Sequence, residues 1–177
     1  MKSKWMLAVL VVALGAGVYG GAVLATPAGG LTTSTLAKAT VGDLNLSGHS
    51  FTTTTTSDGR QKLTGVWIAS LRTLGLSDVY VIDNKIAPGG TTGWHSHPGP
   101  SLVFVVAGSV TNYSSDDPSC APHVYTAGQS FTDPGGDDSH VLHNEGTAVA
   151  ETIAVQFLPT TATRRIDAPA PAGCPSS

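Results

Sequence analysis

The sequence predicts a mostly β fold built from short strands and tight turns. Charged residues make up only 12% of the 177-residue chain, whereas Thr, Ser, Gly and Pro are abundant. This composition suits short strands better than long surface helices. Beyond residue 25, short apolar runs recur between Gly and Pro turn signals, and none shows a convincing helical stripe. We expect one all-β domain, since an apolar content of 41% is compatible with one packed core.

The first 25 residues have the features of a targeting segment. Lys2 and Lys4 provide a positive start, and residues 5–24 form an uncharged, largely apolar run that ends near a small-x-small pattern. A run of 20 residues also suffices to cross a bilayer as a helix. The segment is therefore either a cleaved signal peptide or a retained hydrophobic anchor helix. Both alternatives predict export, with the domain secreted or tethered to the outer face of the cytoplasmic membrane.

The rest of the chain divides by composition into three parts. Residues 26–50, rich in Thr, Ala and Gly, are interpreted as a flexible spacer. Residues 51–158 are assigned to the β domain, although the Thr-rich start at 51–57 is either an edge strand or more spacer. Residues 159–177, with repeated Pro and Ala, predict an extended C-terminal tail.

Within the β domain, the spacing of the apolar runs predicts a closed or sandwiched antiparallel sheet. The expected strands lie at 66–71, 78–82, 102–106, 109–113, 128–132, 140–143 and 148–158.

The charge balance bears on the class of partner. After residue 25 the chain has 7 basic against 12 acidic residues, a difference of −5. This excess of negative charge argues against nucleic acid or an anionic membrane surface as a partner. Arg164 and Arg165 form the only adjacent basic pair, which we interpret as a solvated pair at the end of the domain.

Cys120 and Cys174 are the two cysteines of the chain. They suit an exported protein with one structural disulfide, whereas two free thiols would be expected in a cytoplasmic chain. A cysteine metal site is disfavoured, because neither residue has a second ligand-type partner at short spacing.

His95 and His97 form the most informative pair of side chains. Residues one apart share a side of a strand, whereas on a helix they diverge by about 200°. On a strand the pair can bind one ion, and imidazole suits several transition metals. A lone His-x-His pattern is weak evidence, so the flanking residues decide its meaning.

The flanking residues resemble the first motif of the cupin superfamily. That motif runs Gly, five residues, His-x-His, three or four residues, Glu, six residues, Gly. In this chain the corresponding positions are Gly89, His95, His97, Ser101 and Gly108, with the same spacing. Ser101 stands where the family has Glu, and the two glutamates of the chain lie beyond residue 144.

A second stretch resembles the second cupin motif, which runs Gly, five residues, Pro-x-Gly, two residues, His, three residues, Asn. Here the positions are Gly128, Pro134, Gly136, His140 and Asn144, with one extra residue before the His. The two motifs together resemble a small single-domain cupin. The resemblance implies a jelly-roll β-barrel. Because dimers are common in the family, it also leads us to expect a homodimer.

The resemblance also implies that His95, His97 and His140 bind one divalent transition metal, drawn from Fe, Mn, Zn, Cu and Ni. Three neutral ligands leave several positions open, which favours Lewis-acid or oxygen-activating roles. We expect a small-molecule ligand or substrate and a metal-dependent oxidoreductase of dioxygenase type. The alternatives are a non-catalytic envelope or secreted binding protein, and a structural domain whose site has lost its metal.

Other side chains near the motifs are weaker candidates. Ser101 and His143 are candidates for residues that contact the ligands of the ion rather than the ion itself, although His143 would face away from His140 on a regular strand. Asp133 is either a fourth ligand, with its neighbouring acids, or part of a solvated loop. Trp94 either lines a pocket or packs. The chain lacks a phosphate-binding Gly loop, a nucleophile elbow and an HExxH helix, which excludes phosphoryl transfer, the usual serine hydrolases and zinc-helix proteases.

Overall fold

The computed structural model describes residues 24–176, and the regular elements in this range are all β-strands. Among these residues no helix is long and apolar enough to cross a membrane. Of the predicted signal or anchor segment at residues 1–25, residues 1–23 lie outside the described part. In chain order the strands are β1 (Gly29–Val41), β2 (Asn45–Thr55), β3 (Gln61–Arg72), β4 (Ser77–Thr91), β5 (His95–Ser96), β6 (Ser101–Ala107), β7 (Ser109–Ser114), β8 (His123–Thr126), β9 (Ser130–Asp133), β10 (His140–His143), β11 (Ala150–Pro159) and β12 (Ile166–Asp167).

Ten of these strands form one nearly closed jelly-roll barrel, as expected. Its main path runs β12-β5-β10-β4-β11-β6-β9, with β1 added to β4 and β7 bridging β10 and β8. The pairings are antiparallel throughout. The site described below lies where the short strand β5 meets the first residue of β10.

Alternation along β6 and β11 explains why this sequence closes into a barrel. In β6, Ser101, Val103 and Val105 are buried, while the residues between them are exposed. In β11 every second residue from Ala150 to Leu158 is buried. Side chains alternate between the two faces of a strand, so each strand turns one face inward. The main core consists of Ile82, Ile86, Val103, Val105, Val110, Phe131, Leu142, Ala150 and Ala154.

Residues 29–41 form the strand β1, which corrects the expectation of a flexible spacer for this segment. β1 pairs antiparallel with β4, from Leu31 opposite Ile86 to Val41 opposite Ser77. Its Thr-rich sequence has high β propensity, and an edge of β4 is available to pair with it. The division of the chain into domains otherwise stays a prediction.

β2 and β3 form a separate two-stranded sheet, in which Asn45 pairs with Arg72 and Thr55 with Gln61. The run at 66–71, expected as a strand, is one, but it belongs to this hairpin rather than to the barrel. The run at 51–55 is its partner and not spacer.

The C-terminal tail packs against the barrel. Cys120 and Cys174 form the expected disulfide. β12 pairs with β5, and the Ala168 N–H donates to the Trp94 carbonyl at 2.9 Å. The indole Nε1 of Trp94 donates to the Pro175 carbonyl at 2.8 Å. Tail residues therefore lie directly beside the strand that carries His95.

Candidate metal centre

The fold brings His95, His97 and His140 together. His95 opens β5 and pairs directly with His140, the first residue of β10. His97 follows β5 on the same side as His95. One nitrogen from each ring lies within 4.8 Å of the other two, and Nε2 of His95 lies 3.3 Å from Nε2 of His140. All three residues are buried.

Two glycines shape the chain around the histidines. Gly93 has a φ of +65°, and a side chain there would overlap the backbone of Thr26, which passes beside it. Gly135 has a φ of +72°, and a side chain there would overlap the backbone of Gly99. Both turns therefore require glycine, the first just before His95 and the second in the loop that leads to His140.

Each imidazole is oriented through its Nδ1 atom. Nδ1 lies 2.9 Å from the Gly93 carbonyl oxygen in His95 and 2.6 Å from the Arg164 carbonyl oxygen in His97. A carbonyl only accepts, so Nδ1 carries the hydrogen in both rings and Nε2 keeps its lone pair. Nδ1 of His140 faces the Asp133 carboxylate, with Oδ1 at 3.7 Å. Metal-binding histidines have the same arrangement, in which the second nitrogen contacts an acceptor.

Burial keeps the three imidazoles neutral at pH 7. It lowers the pKa of His140 to about 4, against the opposing effect of the Asp133 carboxylate. Burial, with the charge of His140 as the next cause, holds the pKa of His95 well below its usual range. Burial also lowers the pKa of His97, partly offset by its hydrogen bond to Arg164. Neutral imidazole is the form that coordinates a metal ion.

Asp133 lies beside the histidines, which corrects its interpretation as a solvated loop residue. It is 3% exposed, and its Oδ2 lies 4.0 Å from Nε2 of His97. Its Oδ1 accepts the Gly135 N–H at 2.9 Å. β9 pairs with β6 so that Asp133 stands opposite Ser101, the residue at the family's Glu position. The Ser101 hydroxyl donates to Asp133 Oδ2 at 3.4 Å. The strand β9 therefore supplies a carboxylate beside the position at which β6 has Ser101 instead of the family's Glu.

Gln156 and Arg164 also belong to the site, and the sequence analysis missed both. The Gln156 amide nitrogen lies 3.2 Å from Nε2 of His97 and donates to Ser101 Oγ at 3.3 Å. Arg164 Nη1 donates to Gln156 Oε1 at 3.2 Å. Arg164 and Arg165 both line the cavity of the histidines, so they are not a solvated pair. Gln156 had a signal in the sequence, because it is, like Thr152, a polar residue on the buried parity of β11.

The remaining candidates lie elsewhere. His143, predicted near the ion, is absent from the cavity lining, and its ring packs against Tyr113 with centroids 5.6 Å apart. It follows His140 at odd spacing in β10 and therefore faces the other side. Trp94 is fully buried against Cys120 and Val141, so it packs rather than lining the pocket.

The cavity next to the histidines is small, with a volume of about 60 Å³. Its apolar wall includes Val103, Leu142 and Ala154, whereas Val105 is part of the main core and not of the lining. A cavity of this size has room for only a few water molecules or a small ligand.

Part of this chain is similar to a known protein family and to solved structures. Residues 84–156 match the model of the cupin domain family. An oxalate oxidase structure is 26% identical over 51% of this chain and 46% of its own, with a TM-score of 0.44. An RmlC-like cupin family protein from Methanocaldococcus jannaschii is 18% identical over 44% of this chain and 68% of its own, with a TM-score of 0.40. This chain spans less than half of the oxalate oxidase. No curated protein matches this chain.

Proposed function

We propose that this chain, which belongs to the cupin superfamily, holds one divalent transition metal through His95, His97 and His140 and binds or acts on a small molecule beside it. The observation that carries the proposal is the orientation of the rings. Nδ1 of His95 and His97 is committed to carbonyl oxygens, so Nε2 of each ring keeps its lone pair, and both rings lie close to His140 in a buried site. Neutral imidazoles carry no charge of their own that would repel a cation.

The donor set fits a transition metal in chemistry as well as in placement. Imidazole nitrogen is a ligand for Fe, Mn, Zn, Cu and Ni, and three such ligands leave positions open. Bound there, the ion would supply Lewis-acid polarisation or activation of oxygen. Asp133 would supply negative charge beside the ion, which compensates for Ser101 at the family's Glu position. Its contact with Nδ1 of His140 would also orient that ring.

A metal-dependent oxidoreductase of dioxygenase type is the activity we propose for this centre. The support is the pairing of an open three-histidine set with a small cavity whose wall includes the apolar side chains of Val103, Leu142 and Ala154. The second candidate is a binding protein without turnover. This candidate is favoured by the hydrogen bonds that join Gln156 to Ser101 and Arg164. These polar side chains beside His97 are engaged with each other and are therefore not free to act on a substrate.

We also propose that the domain works outside the cytoplasm. The support is the disulfide between Cys120 and Cys174, since such bonds persist in oxidising compartments and are rare in the cytosol. Whether residues 1–25 are cleaved or retained, and whether the domain forms a homodimer, stay predictions.

The test is metal uptake by the purified full chain, followed by oxygen consumption. The chain is loaded in turn with Fe²⁺, Mn²⁺, Zn²⁺, Cu²⁺ and Ni²⁺ and its metal content is measured by elemental mass spectrometry. We expect about one ion per chain, abolished in a His95→Ala, His97→Ala variant and unchanged in a His123→Ala variant, since His123 is exposed on β8. Oxygen consumption with a panel of small organic acids then separates the two candidates. Uptake by neither the wild-type chain nor the variants would refute the proposal.

A further inference from the structure

The Arg164 side chain has hydrogen-bonding capacity that the protein does not use. It lines the cavity of the three histidines and is half-buried. A guanidinium carries five N–H donors, yet among residues 24–176 the side chain of Arg164 makes one hydrogen bond, from Nη1 to Gln156 Oε1. Within residues 24–176 no carboxylate lies within ion-pair distance of it. A charge withdrawn from water without an anionic partner is unfavourable.

Arg165 provides an internal comparison, because its side chain has a carboxylate partner. Its Nη2 donates to the Thr92 carbonyl at 2.7 Å, and its Nε pairs with Asp167 Oδ1 at 2.6 Å. Arg165 therefore has a structural role in attaching the tail to the barrel. It also adds positive charge beside Arg164, and burial together with this charge lowers the pKa of Arg164. A bound anion would offset both effects.

We propose that Arg164 forms an anion subsite beside the metal centre and that the small molecule taken by this site is a carboxylate. This inference rests on the proposed function, since it names the ligand class of the same cavity. The planar fork of a guanidinium matches a carboxylate through two parallel N–H···O bonds, which favours carboxylates over spherical anions. The cavity of about 60 Å³ restricts the ligand to a few heavy atoms.

The negative charge of Asp133 decides when the anion binds. Asp133 is the carboxylate that lines the same cavity, and it repels an anion when no cation is present. A metal ion bound to the histidines adds positive charge, which offsets the repulsion between Asp133 and the anion. We therefore expect carboxylate binding to require the loaded metal, which is the behaviour of a ligand that lies beside the ion.

The role of Arg164 in the metal centre can be separated from its role in anion binding. Its backbone carbonyl accepts the bond from His97 Nδ1, whereas its side chain reaches Gln156. A substitution of the side chain leaves the carbonyl in place. Arg164→Met keeps a long, flexible side chain without the charge, so it should retain the metal and lose the anion.

The experiment uses the full chain loaded with Zn²⁺, whose content is measured by elemental mass spectrometry before each titration. Acetate and its neutral counterpart acetamide are titrated by isothermal calorimetry into the wild type, Arg164→Met and Arg60→Met. Arg60 is the matched control, because its side chain is 87% exposed and pairs with Asp58, and neither residue lines the cavity. We expect the wild type and Arg60→Met to bind acetate but not acetamide. Arg164→Met should keep its Zn²⁺ and bind acetate about 10- to 100-fold more weakly.

The outcomes distinguish this inference from the proposed function. Equal acetate affinity in the wild type and Arg164→Met, with Zn²⁺ bound in both, would overturn the subsite and leave the metal centre standing. Tighter binding of inorganic phosphate than of acetate would overturn the carboxylate assignment. A wild-type chain that takes up no Zn²⁺ would overturn the metal centre and, with it, the subsite.

Discussion

Removal of the disulfide between Cys120 and Cys174 should weaken the fold and the metal centre together. The bond links residues 54 positions apart. By the chain-entropy relation, closing a loop of about 54 residues lowers the entropy of the unfolded chain enough to stabilise the fold by about 4 kcal/mol at 25 °C. A Cys120→Ala, Cys174→Ala variant should lose a free energy of unfolding of this size.

The effect on the metal centre follows from what the tail contacts. The Arg164 carbonyl accepts from His97 Nδ1 at 2.6 Å, and the Pro175 carbonyl accepts from the Trp94 indole at 2.8 Å. Without the disulfide, Cys174 no longer anchors this segment against the barrel. The His97 ring then loses part of its orientation, and loss of such a partner typically lowers metal affinity about 10- to 100-fold.

Urea denaturation and competition with a chelator measure the two effects. The double variant should show a lower free energy of unfolding and weaker retention of Zn²⁺ than the oxidised wild type. A reductant provides the control, since it should bring the wild type to the level of the variant and leave the variant unchanged. Unfolding free energies of variant and wild type within about 1 kcal/mol of each other, a quarter of the loop-entropy value, would refute the reasoning.

Three further outcomes test separate parts of the account. Asp133→Asn should lower metal affinity about 10- to 100-fold in chelator competition, because it removes the negative charge beside the histidines; unchanged affinity would contradict that role. Ile82→Ala should cost about 2–5 kcal/mol in urea denaturation, because Ile82 is 1% exposed in the barrel core, whereas Ile68→Ala, at a residue 74% exposed on the hairpin, should cost less than about 0.5 kcal/mol. Hydrogen bonds from the side chains of Thr40 and Lys38 on β1 hold the pKa of Asp78 below its usual range. The stability that these bonds contribute is therefore present at neutral pH and is lost as the pH falls through the acidic range. Asp78→Asn should flatten the dependence of the melting temperature on pH below 5, and an unchanged slope would contradict this assignment.

The strands of the barrel were predictable where local pattern and tertiary environment agree. The apolar run at 102–106 is visible in the sequence and forms most of β6, although the sequence did not show which of its two faces is buried. The parity of His95 and His97 predicted two side chains on one side of a strand, the resemblance to cupins added His140, and the structure places the three together. The match of residues 84–156 to the cupin domain model confirms the resemblance.

The other parts of the site depend on contacts between distant segments, which no local pattern encodes. Asp133 is buried because β9 pairs with β6, although a Gly-rich stretch follows it in the sequence. Arg164 reaches the cavity because β12 and the disulfide return the tail to the barrel. β1 was missed for a similar reason, because a Thr-rich segment is a spacer or a strand according to whether an edge is available to it.

Anomalous diffraction from crystals of the full chain grown with Zn²⁺ tests the central claim most directly. The account predicts one strong peak in the cavity, at about 2.0–2.1 Å from a ring nitrogen of each of His95, His97 and His140. A chain that shows an empty cavity, with its only anomalous peaks at surface histidines such as His49 and His123, would contradict the metal centre.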